Sequence, residues 1–201
     1  MNLQPATEFL SSIDVDWACL VQTVGACTFA PEPERDPYEA LVKSVAYQQL
    51  HARAAEAILG RMLNLYAGQF PQPEQLVATE FDQLRACGFS ASKIATIQGI
   101  AQGKLSGLVP TRDEADTMTD EELISRLVTL KGIGRWTVEM LLIFTLERMD
   151  IMPVDDFAVK EGYKRLKSLE KAPTPKQLAV IGEAWKPYRT IAAWYLWRVP
   201  R

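Results

Sequence analysis

The stretch that decides the fold reads Leu130-Lys131-Gly132-Ile133-Gly134-Arg135-Trp136-Thr137. Apolar residues recur at helical spacing on both sides of it, so it breaks two amphipathic helices with one tight turn. Its glycines can adopt positive φ, which lets the backbone lie close to another molecule. Backbone N–H groups at the start of the second helix would favour an anion such as a phosphate. A turn that uses the same glycines only for tight packing is the alternative that the motif alone leaves open.

The helices that flank this turn have recognisable ends. Thr119-Asp120-Glu121-Glu122 is a capping box with an acidic first turn. The buried face of the first helix is predicted to comprise Leu123, Ile124, Leu127, Val128 and Leu130. The second helix is predicted from Arg135 to Arg148, so the hairpin covers residues 119–148.

Helix signals recur through the rest of the chain, and no segment alternates as a strand would, so we predict an all-α fold. Asp36-Pro37 opens a long helical run with a joint near residues 49–53. Further helices are predicted at 79–88, at 92–102, from 155 or 156 to about 166, from 174, and from 187 to about 198. Residues 104–117 are predicted to form a loop.

Charge is unevenly distributed along the 201 residues. The formal net charge is −3, which is unusual for a nucleic-acid-binding protein. The segment from Phe157 to Arg201 nevertheless contains ten Lys or Arg against three Glu. This basic segment could contact phosphates, or it could be the solvated face of ordinary helices.

Several classes of protein do not fit the sequence. It lacks a run of about eighteen apolar residues and a secretory signal, so an intracellular location, cytoplasmic or nuclear, is expected and no membrane partner. Its cysteines, Cys19, Cys27 and Cys87, show no CxxC spacing, which argues against a disulfide framework, a metal site built from cysteines and an iron–sulfur cluster.

Two adjacent carboxylates follow the hairpin in Pro153-Val154-Asp155-Asp156. At the start of a helix, one carboxylate can cap the backbone while the other points into a cleft. Both could equally serve as caps, so this pair alone leaves its role open.

Taken together, the glycine hairpin and the later Asp pair resemble the helix-hairpin-helix, Gly/Pro-rich and Asp (HhH-GPD) superfamily of DNA glycosylases. The segments GIGRWT, PVDDFAVK and WKPYRT are similar to its 3-methyladenine DNA glycosylase II branch, in a compact form without an N-terminal sheet domain. The resemblance runs from about residue 36 to the C-terminus. It implies two helical lobes, 1–36 plus 150–201 and 37–149, with a DNA-binding cleft between them.

The resemblance also implies a reaction. Asp156 would be the catalytic residue of an enzyme that flips alkylated purines, such as 3-methyladenine or 7-methylguanine, from duplex DNA and hydrolyses their N-glycosidic bond. Related lyases carry a lysine where this chain has Trp136, so a monofunctional hydrolase is expected. Damaged double-stranded DNA would be its partner, the protein would act as a monomer, and no cofactor would be required.

Further site residues follow from the resemblance. The base pocket would contain Trp136 and Trp197, with Tyr47 and Phe157 as weaker candidates and Met140 where the family has a tyrosine. Aromatic rings attract a cationic base by on the order of 1 to 3 kcal/mol per contact. Core packing is the alternative role for each aromatic residue.

DNA contacts are implied elsewhere as well. The residue that fills the gap left by the flipped base would be His51 or Leu50, with Gln49 beside it. The DNA-backbone contacts would be Gly132, Gly134, Arg135, Lys93, Lys160 and Arg189, although each charged residue could be an ordinary surface charge. The hairpin would also hold a structural Na⁺ or K⁺ through the backbone carbonyls of Val128, Leu130 and Ile133.

Two other functions remain open at this point. One is a non-catalytic helix-hairpin-helix DNA-binding module, in which Asp156 only caps a helix. The other is a helical protein-interaction bundle, which suits the acidic charge but gives the glycine hairpin no task.

Overall fold

The structure is a computed structural model that describes residues 2–200. All regular elements in this range are helical, which confirms the all-α prediction. The α-helices are α1 (Gln4–Ser11), α2 (Val15–Val24), α3 (Pro37–Tyr47), α4 (Ala52–Asn64), α5 (Pro73–Ala78), α6 (Phe81–Cys87), α7 (Ala91–Leu105), α8 (Arg112–Thr117), α9 (Asp120–Leu127), α10 (Arg135–Phe144), α11 (Phe157–Leu166), α12 (Pro175–Gly182) and α13 (Arg189–Leu196). A short 3-10 helix, Glu183–Trp185, follows α12. No helix within the described residues is long and apolar enough to cross a membrane.

The chain forms two compact units, whose limits differ from those of the predicted lobes. One unit comprises the described residues up to 31 and from 142 onward, and the other comprises 32–141. The sequence placed 32–36 and 142–149 on the opposite sides of this division. The second difference arises because α10 begins in one unit and its last residues belong to the other.

Aromatic side chains build the core of the unit that contains both chain termini. Trp17 of α2 meets Trp185 edge to face, with ring centroids 5.3 Å apart. Tyr163 of α11 lies 5.6 Å from the same Trp185 ring. Tyr195 of α13 is buried, and its hydroxyl donates to the carbonyl of Gly25 at 3.0 Å. These contacts join α2 and α11 through Trp185 of the 3-10 helix, and they join α13 to the residue that follows α2.

Helix α11 crosses α13 at very close range. A Cβ atom added at Gly162 would lie 2.1 Å from the carbonyl oxygen of Leu196, which is closer than two non-bonded heavy atoms can approach. Because that oxygen belongs to the backbone, no side-chain rotation could make room. Glycine is therefore required at this crossing.

The unit of residues 32–141 is organised around α7. Ile94, Ile97 and Ile100 lie on its buried face, and they are at most 1% exposed. Both α3 and α5 pack against this helix. At its far end, the ammonium of Lys104 bonds to Asp36 Oδ2 at 3.1 Å and to the carbonyl of Pro110 at 3.3 Å. The N-terminal turns of α7 contact the two loops described in the next subsection.

The structure departs from the prediction at residues 104–117 and at the end of the second hairpin helix. The loop predicted at 104–117 contains α8, which has its own capping box between Thr111 and Glu114. Helix α10 ends at Phe144 rather than at Arg148. The chain turns back there, with Glu147 at φ +55° and the amide of Arg148 donating to the carbonyl of Leu142 at 2.9 Å.

Two further features depart from the sequence-based expectations. Val128, predicted on the buried face of its helix, is 39% exposed because α9 ends at Leu127 and Val128 begins the turn. Residues before Asp36, for which no helix was predicted, contain α1 and α2. Asp14 caps α2 by accepting the amides of Asp16 and Trp17.

Candidate functional site

Asp156 lies at the N-terminus of α11, where the unit with both termini has a buried carboxylate. The residue is 8% exposed. Its Oδ1 accepts a hydrogen bond from the backbone amide of Val159 at 2.8 Å, so Asp156 caps α11. The sequence had left open whether one or both of the adjacent carboxylates serve as caps. The indole Nε1 of Trp197 donates to the same oxygen at 3.1 Å. Two donors on different elements therefore fix the orientation of this carboxylate.

Two further aromatic rings pack in series against the indole of Trp197. The ring of Phe144, at the end of α10, lies nearly parallel to the indole, with centroids 5.7 Å apart and an angle of 20° between the planes. Phe29 then contacts Phe144, also at 5.7 Å. Sequence reasoning proposed Trp197 as a wall of the base pocket but missed both its bond to Asp156 and the role of Phe144. The stack limits indole rotation and so keeps its N–H directed at the carboxylate.

The neighbours of Asp156 in the chain have a different environment. Asp155 is exposed, and Phe157, one of the weaker candidates for the base pocket, is 75% exposed. Lys160 is half-buried one turn further along α11. Of the two adjacent carboxylates, only Asp156 is held in the protein interior.

The glycine hairpin is anchored by its apolar residues and presents backbone at its tip. Leu130 and Ile133 are buried, and the amide of Ile133 donates to the carbonyl of Leu130 at 3.1 Å. Gly132 has φ +85°, as its predicted turn requires. A Cβ atom at Gly134 would have no heavy atom within 4 Å. The start of α10 is therefore accessible to a ligand at Gly134.

A loop remote in sequence contacts this hairpin. The side-chain amide of Gln48 donates to the carbonyl of Gly132 at 3.3 Å and to Thr137 Oγ1 at 3.4 Å. Gly132 also lies against α7, since a Cβ added there would be 2.3 Å from Thr96 Oγ1. Sequence reasoning missed Gln48 and Thr96, because nothing in the local pattern links them to the hairpin.

The turn between α3 and α4, residues 48–51, carries the two candidates for the residue that fills the gap in the base stack. Leu50 is 39% exposed, and His51, at the N-cap of α4, is exposed as well. Gln49 has φ +57°, a left-handed conformation that is unfavourable for a residue other than glycine. Contacts with the surrounding structure must therefore hold it in place.

The basic residues predicted to contact DNA differ in what they already bind. Arg135 pairs with Glu121 at 2.5 Å and with Glu139 at 3.0 Å, and the bond to Glu121 is the main cause of a raised pKa for its guanidinium. The guanidinium of Arg189 pairs with Asp150 at 2.7 Å.

Lys93 is engaged with the protein's own backbone. Its ammonium donates to the carbonyls of Ala46 and Gln48 at 2.9 and 2.7 Å, and burial lowers the pKa of the group. The geometry therefore gives no support to the prediction that Lys93 contacts a DNA phosphate, because the ammonium is already directed at carbonyl oxygens.

The remaining pocket candidates lie in the unit of residues 32–141. Trp136 is 38% exposed and Tyr47 is 41% exposed, so both rings present surface to solvent. Met140 is half-buried one helical turn after Trp136. Among the described residues, no group of His, Cys, Asp or Glu could hold a metal ion.

Comparison with known proteins places this arrangement in a class of DNA repair proteins. Residues 42–187 match the HhH-GPD superfamily of base excision DNA repair proteins. DNA-3-methyladenine glycosylase 1 of Schizosaccharomyces pombe is 47% identical over 204 residues, which cover 100% of this chain and 89% of that protein. The alkylbase DNA glycosidase-like protein mag2 of the same organism is 40% identical over 98% of this chain and 93% of its own length. The chain belongs to the HhH-GPD superfamily.

Solved structures agree with this assignment. The Schizosaccharomyces pombe 3-methyladenine DNA glycosylase, in complex with abasic DNA, superposes with a TM-score of 0.89 over 96% of this chain and 95% of that one. A DNA-3-methyladenine glycosidase from Bacillus halodurans, 33% identical, superposes with a TM-score of 0.84 over 96% of this chain and 88% of its own. The predicted helical glycosylase fold is therefore confirmed.

Proposed function

We propose that this protein is a monofunctional DNA glycosylase that removes alkylated purines, of the 3-methyladenine and 7-methylguanine type, from duplex DNA inside the cell. The observation that carries the proposal is the buried carboxylate of Asp156, held by Val159 and Trp197 at a helix N-terminus. Membership of a base excision repair superfamily and the similarity to 3-methyladenine glycosylases support the same reaction.

The chemistry of Asp156 follows from its fixed position. As the bond between the purine and C1′ breaks, the base keeps the electron pair and positive charge develops on the sugar. A carboxylate that cannot rotate away stabilises this charge without reorganisation. Water then binds C1′ through its oxygen and transfers a proton to the carboxylate, which acts as general base.

An alkylated purine suits this limited machinery. Methylation at N3 or N7 gives the base a positive charge, so it leaves without needing a strong acid. The exposed ring of Trp136 can attract such a cation through its π face. Because Trp136 stands where related lyases carry lysine, no amine is available there to attack the sugar, and water is the acceptor.

The hairpin would hold the DNA backbone. Backbone N–H groups at the start of α10 favour a phosphate near Gly134. We include in the proposal a Na⁺ or K⁺ bound by the carbonyls of Val128, Leu130 and Ile133, since oxygen atoms are the ligands that such hard cations prefer. Its test is DNA affinity in potassium chloride against tetramethylammonium chloride at equal ionic strength, where equal affinities would argue against the cation.

The direct test is release of free base from methylated duplex DNA by the purified protein. We expect 3-methyladenine and 7-methylguanine to appear without strand cleavage, and separation of the products would establish the preferred base. DNA binding without base release would instead identify a non-catalytic helix-hairpin-helix module. Absence of DNA binding would favour a protein-interaction bundle.

Gly134→Ala should separate DNA binding from stability. The added methyl group has no protein atom within 4 Å, so the free energy of unfolding should change by less than about 0.5 kcal/mol. The same group would intrude on a phosphate at the hairpin, so affinity for duplex DNA should fall about tenfold. Gly99→Ala, which is equally open but lies in the middle of α7, is the matched control. Equal DNA affinities for the two variants would exclude the hairpin as the phosphate site.

Trp197→Phe should slow base release about 10- to 30-fold, as expected for losing one hydrogen bond to a charged group. Phenylalanine can still stack on Phe144 but has no N–H for Asp156. Single-turnover rates at saturating enzyme would measure the effect apart from DNA affinity. An unchanged rate would leave Trp197 with a packing role only.

A further inference from the structure

One face of α7 contacts both loops that the proposed function assigns to DNA. Lys93 and Thr96 are three residues apart, so they lie on the same side of the helix. Lys93 reaches the end of α3, where the turn 48–51 begins, and Thr96 lies against Gly132 of the hairpin. The two loops are therefore supported by adjacent positions on one rigid helix.

The ammonium of Lys93 stabilises the turn through hydrogen bonds to its backbone. It binds the carbonyls of Ala46 and Gln48, two backbone acceptors that the end of α3 leaves without helical partners. These atoms come immediately before Gln49, whose φ of +57° requires support from its surroundings. Without Lys93, the turn could relax toward conformations that direct Leu50 and His51 elsewhere.

Gln48 connects the turn directly to the hairpin. Its backbone carbonyl accepts from Lys93, while its side-chain amide donates to Gly132 and Thr137. The same residue thus belongs to the turn and bonds to the hairpin. Contacts from Lys93, Thr96 and Gln48 close a triangle between α7, the turn and the hairpin.

We propose that Lys93, Thr96 and Gln48 are positioning residues that hold the turn 48–51 at a fixed distance from the hairpin. The inference rests on the proposed function, and it assigns these residues no contact with the substrate. While the hairpin holds a phosphate, the residue at 50 or 51 must enter the base stack at one particular step. A displacement of the turn by about 1 Å would misalign that insertion, and errors of this size cost enzymes up to about 100-fold in rate.

Lys93→Met and Lys104→Met form a matched pair for the test. Both lysines lie on α7, both are half-buried, and each ammonium makes two bonds within the same unit. Only Lys93 binds the turn. Both variants should therefore lose similar stability, whereas only Lys93→Met should lose insertion of the turn into the base stack.

The readout is the fluorescence of 2-aminopurine placed next to a tetrahydrofuran abasic site in duplex DNA. Insertion at this site unstacks the neighbouring base and raises its fluorescence. In Lys93→Met we expect the rise to be largely lost and the single-turnover rate of base release to fall about 10- to 100-fold. Affinity for undamaged duplex should stay within about twofold, because the hairpin itself is unchanged.

Gln48→Met provides a second route should Lys93→Met fail to fold, since Gln48 is half-exposed. It should show the same loss of fluorescence without a large change in unfolding temperature. Equal behaviour of the two lysine variants, or a full fluorescence rise in Gln48→Met, would overturn the proposal. Wild-type protein that inserts at the abasic site yet releases no base would refute the proposed activity and leave the positioning role standing.

Discussion

Asp156→Asn should lower the single-turnover rate of base release about 100- to 1000-fold, which is the usual loss when a group that stabilises transition-state charge is removed. The fold should survive, because the asparagine oxygen can still accept from Val159 and Trp197. The substitution removes the negative charge that the proposed mechanism places beside the sugar. The measurement is release of radiolabelled base from methylated DNA with enzyme in excess.

Asp155→Asn is the matched control for this prediction, since Asp155 is adjacent but exposed. It should retain nearly the full rate. Comparable rates for Asp156→Asn and the wild type, with DNA binding intact, would show that Asp156 is only a helix cap.

Gly162→Ala should destabilise the protein by about 3 kcal/mol or more, at the upper end of the cost of overpacking a core. The added Cβ would meet the backbone carbonyl of Leu196 at 2.1 Å, so α11 and α13 would have to move apart. Chemical denaturation monitored by tryptophan fluorescence would measure the change. Because Asp156 and Trp197 lie at the ends of these two helices, the surviving folded protein should also release base more slowly.

Gly182→Ala is the control that tests whether a clash with backbone atoms causes the destabilisation expected for Gly162→Ala. There the added Cβ would lie 3.2 Å from Met152 Cγ, a side-chain atom that can shift. Its helical conformation also favours alanine over glycine by up to about 1 kcal/mol. We expect little net change in the free energy of unfolding, and a loss equal to that of Gly162→Ala would contradict the argument.

Local signals in the sequence predicted the parts of the fold that depend on local physics. The capping box at Thr119, the glycine turn and a helix cap at Asp155 or Asp156 each involve residues within a few positions of one another. The missed helix α8 had such a signal as well, since Thr111 and Glu114 form a capping box that a prediction of a loop at 104–117 overlooked.

Contacts across long sequence distances could not be predicted in the same way. Trp197 bonds to Asp156, and Phe144 stacks on Trp197, although these residues come from three different elements. The bond between Trp197 and Asp156 depends on how closely α11 and α13 approach at Gly162, a distance that tertiary packing determines. The sequence could therefore single out Asp156 as the candidate catalytic residue but could not say which residues hold its carboxylate.

The phosphate contacts were the least predictable part of the site. Arg135, Arg189 and Lys93 were named from the family resemblance and their charge, and each has acceptors within the protein. The partner of Arg189 is Asp150, 39 residues away, so no local pattern reveals it. A basic residue in the sequence indicates a DNA contact only if its charge remains available after folding.

Arg135 and Arg189 each pair with acidic side chains of the protein, and these ion pairs also affect how the protein would search a genome. An arginine that is paired with an acidic side chain is not available to neutralise a DNA phosphate and release its counterion. Counterion release supplies most of the affinity for undamaged DNA, so these ion pairs lower that affinity. We therefore expect short dwell times on intact DNA and frequent transfer between segments. Such a protein would inspect many positions briefly and remain only where a base can leave the stack.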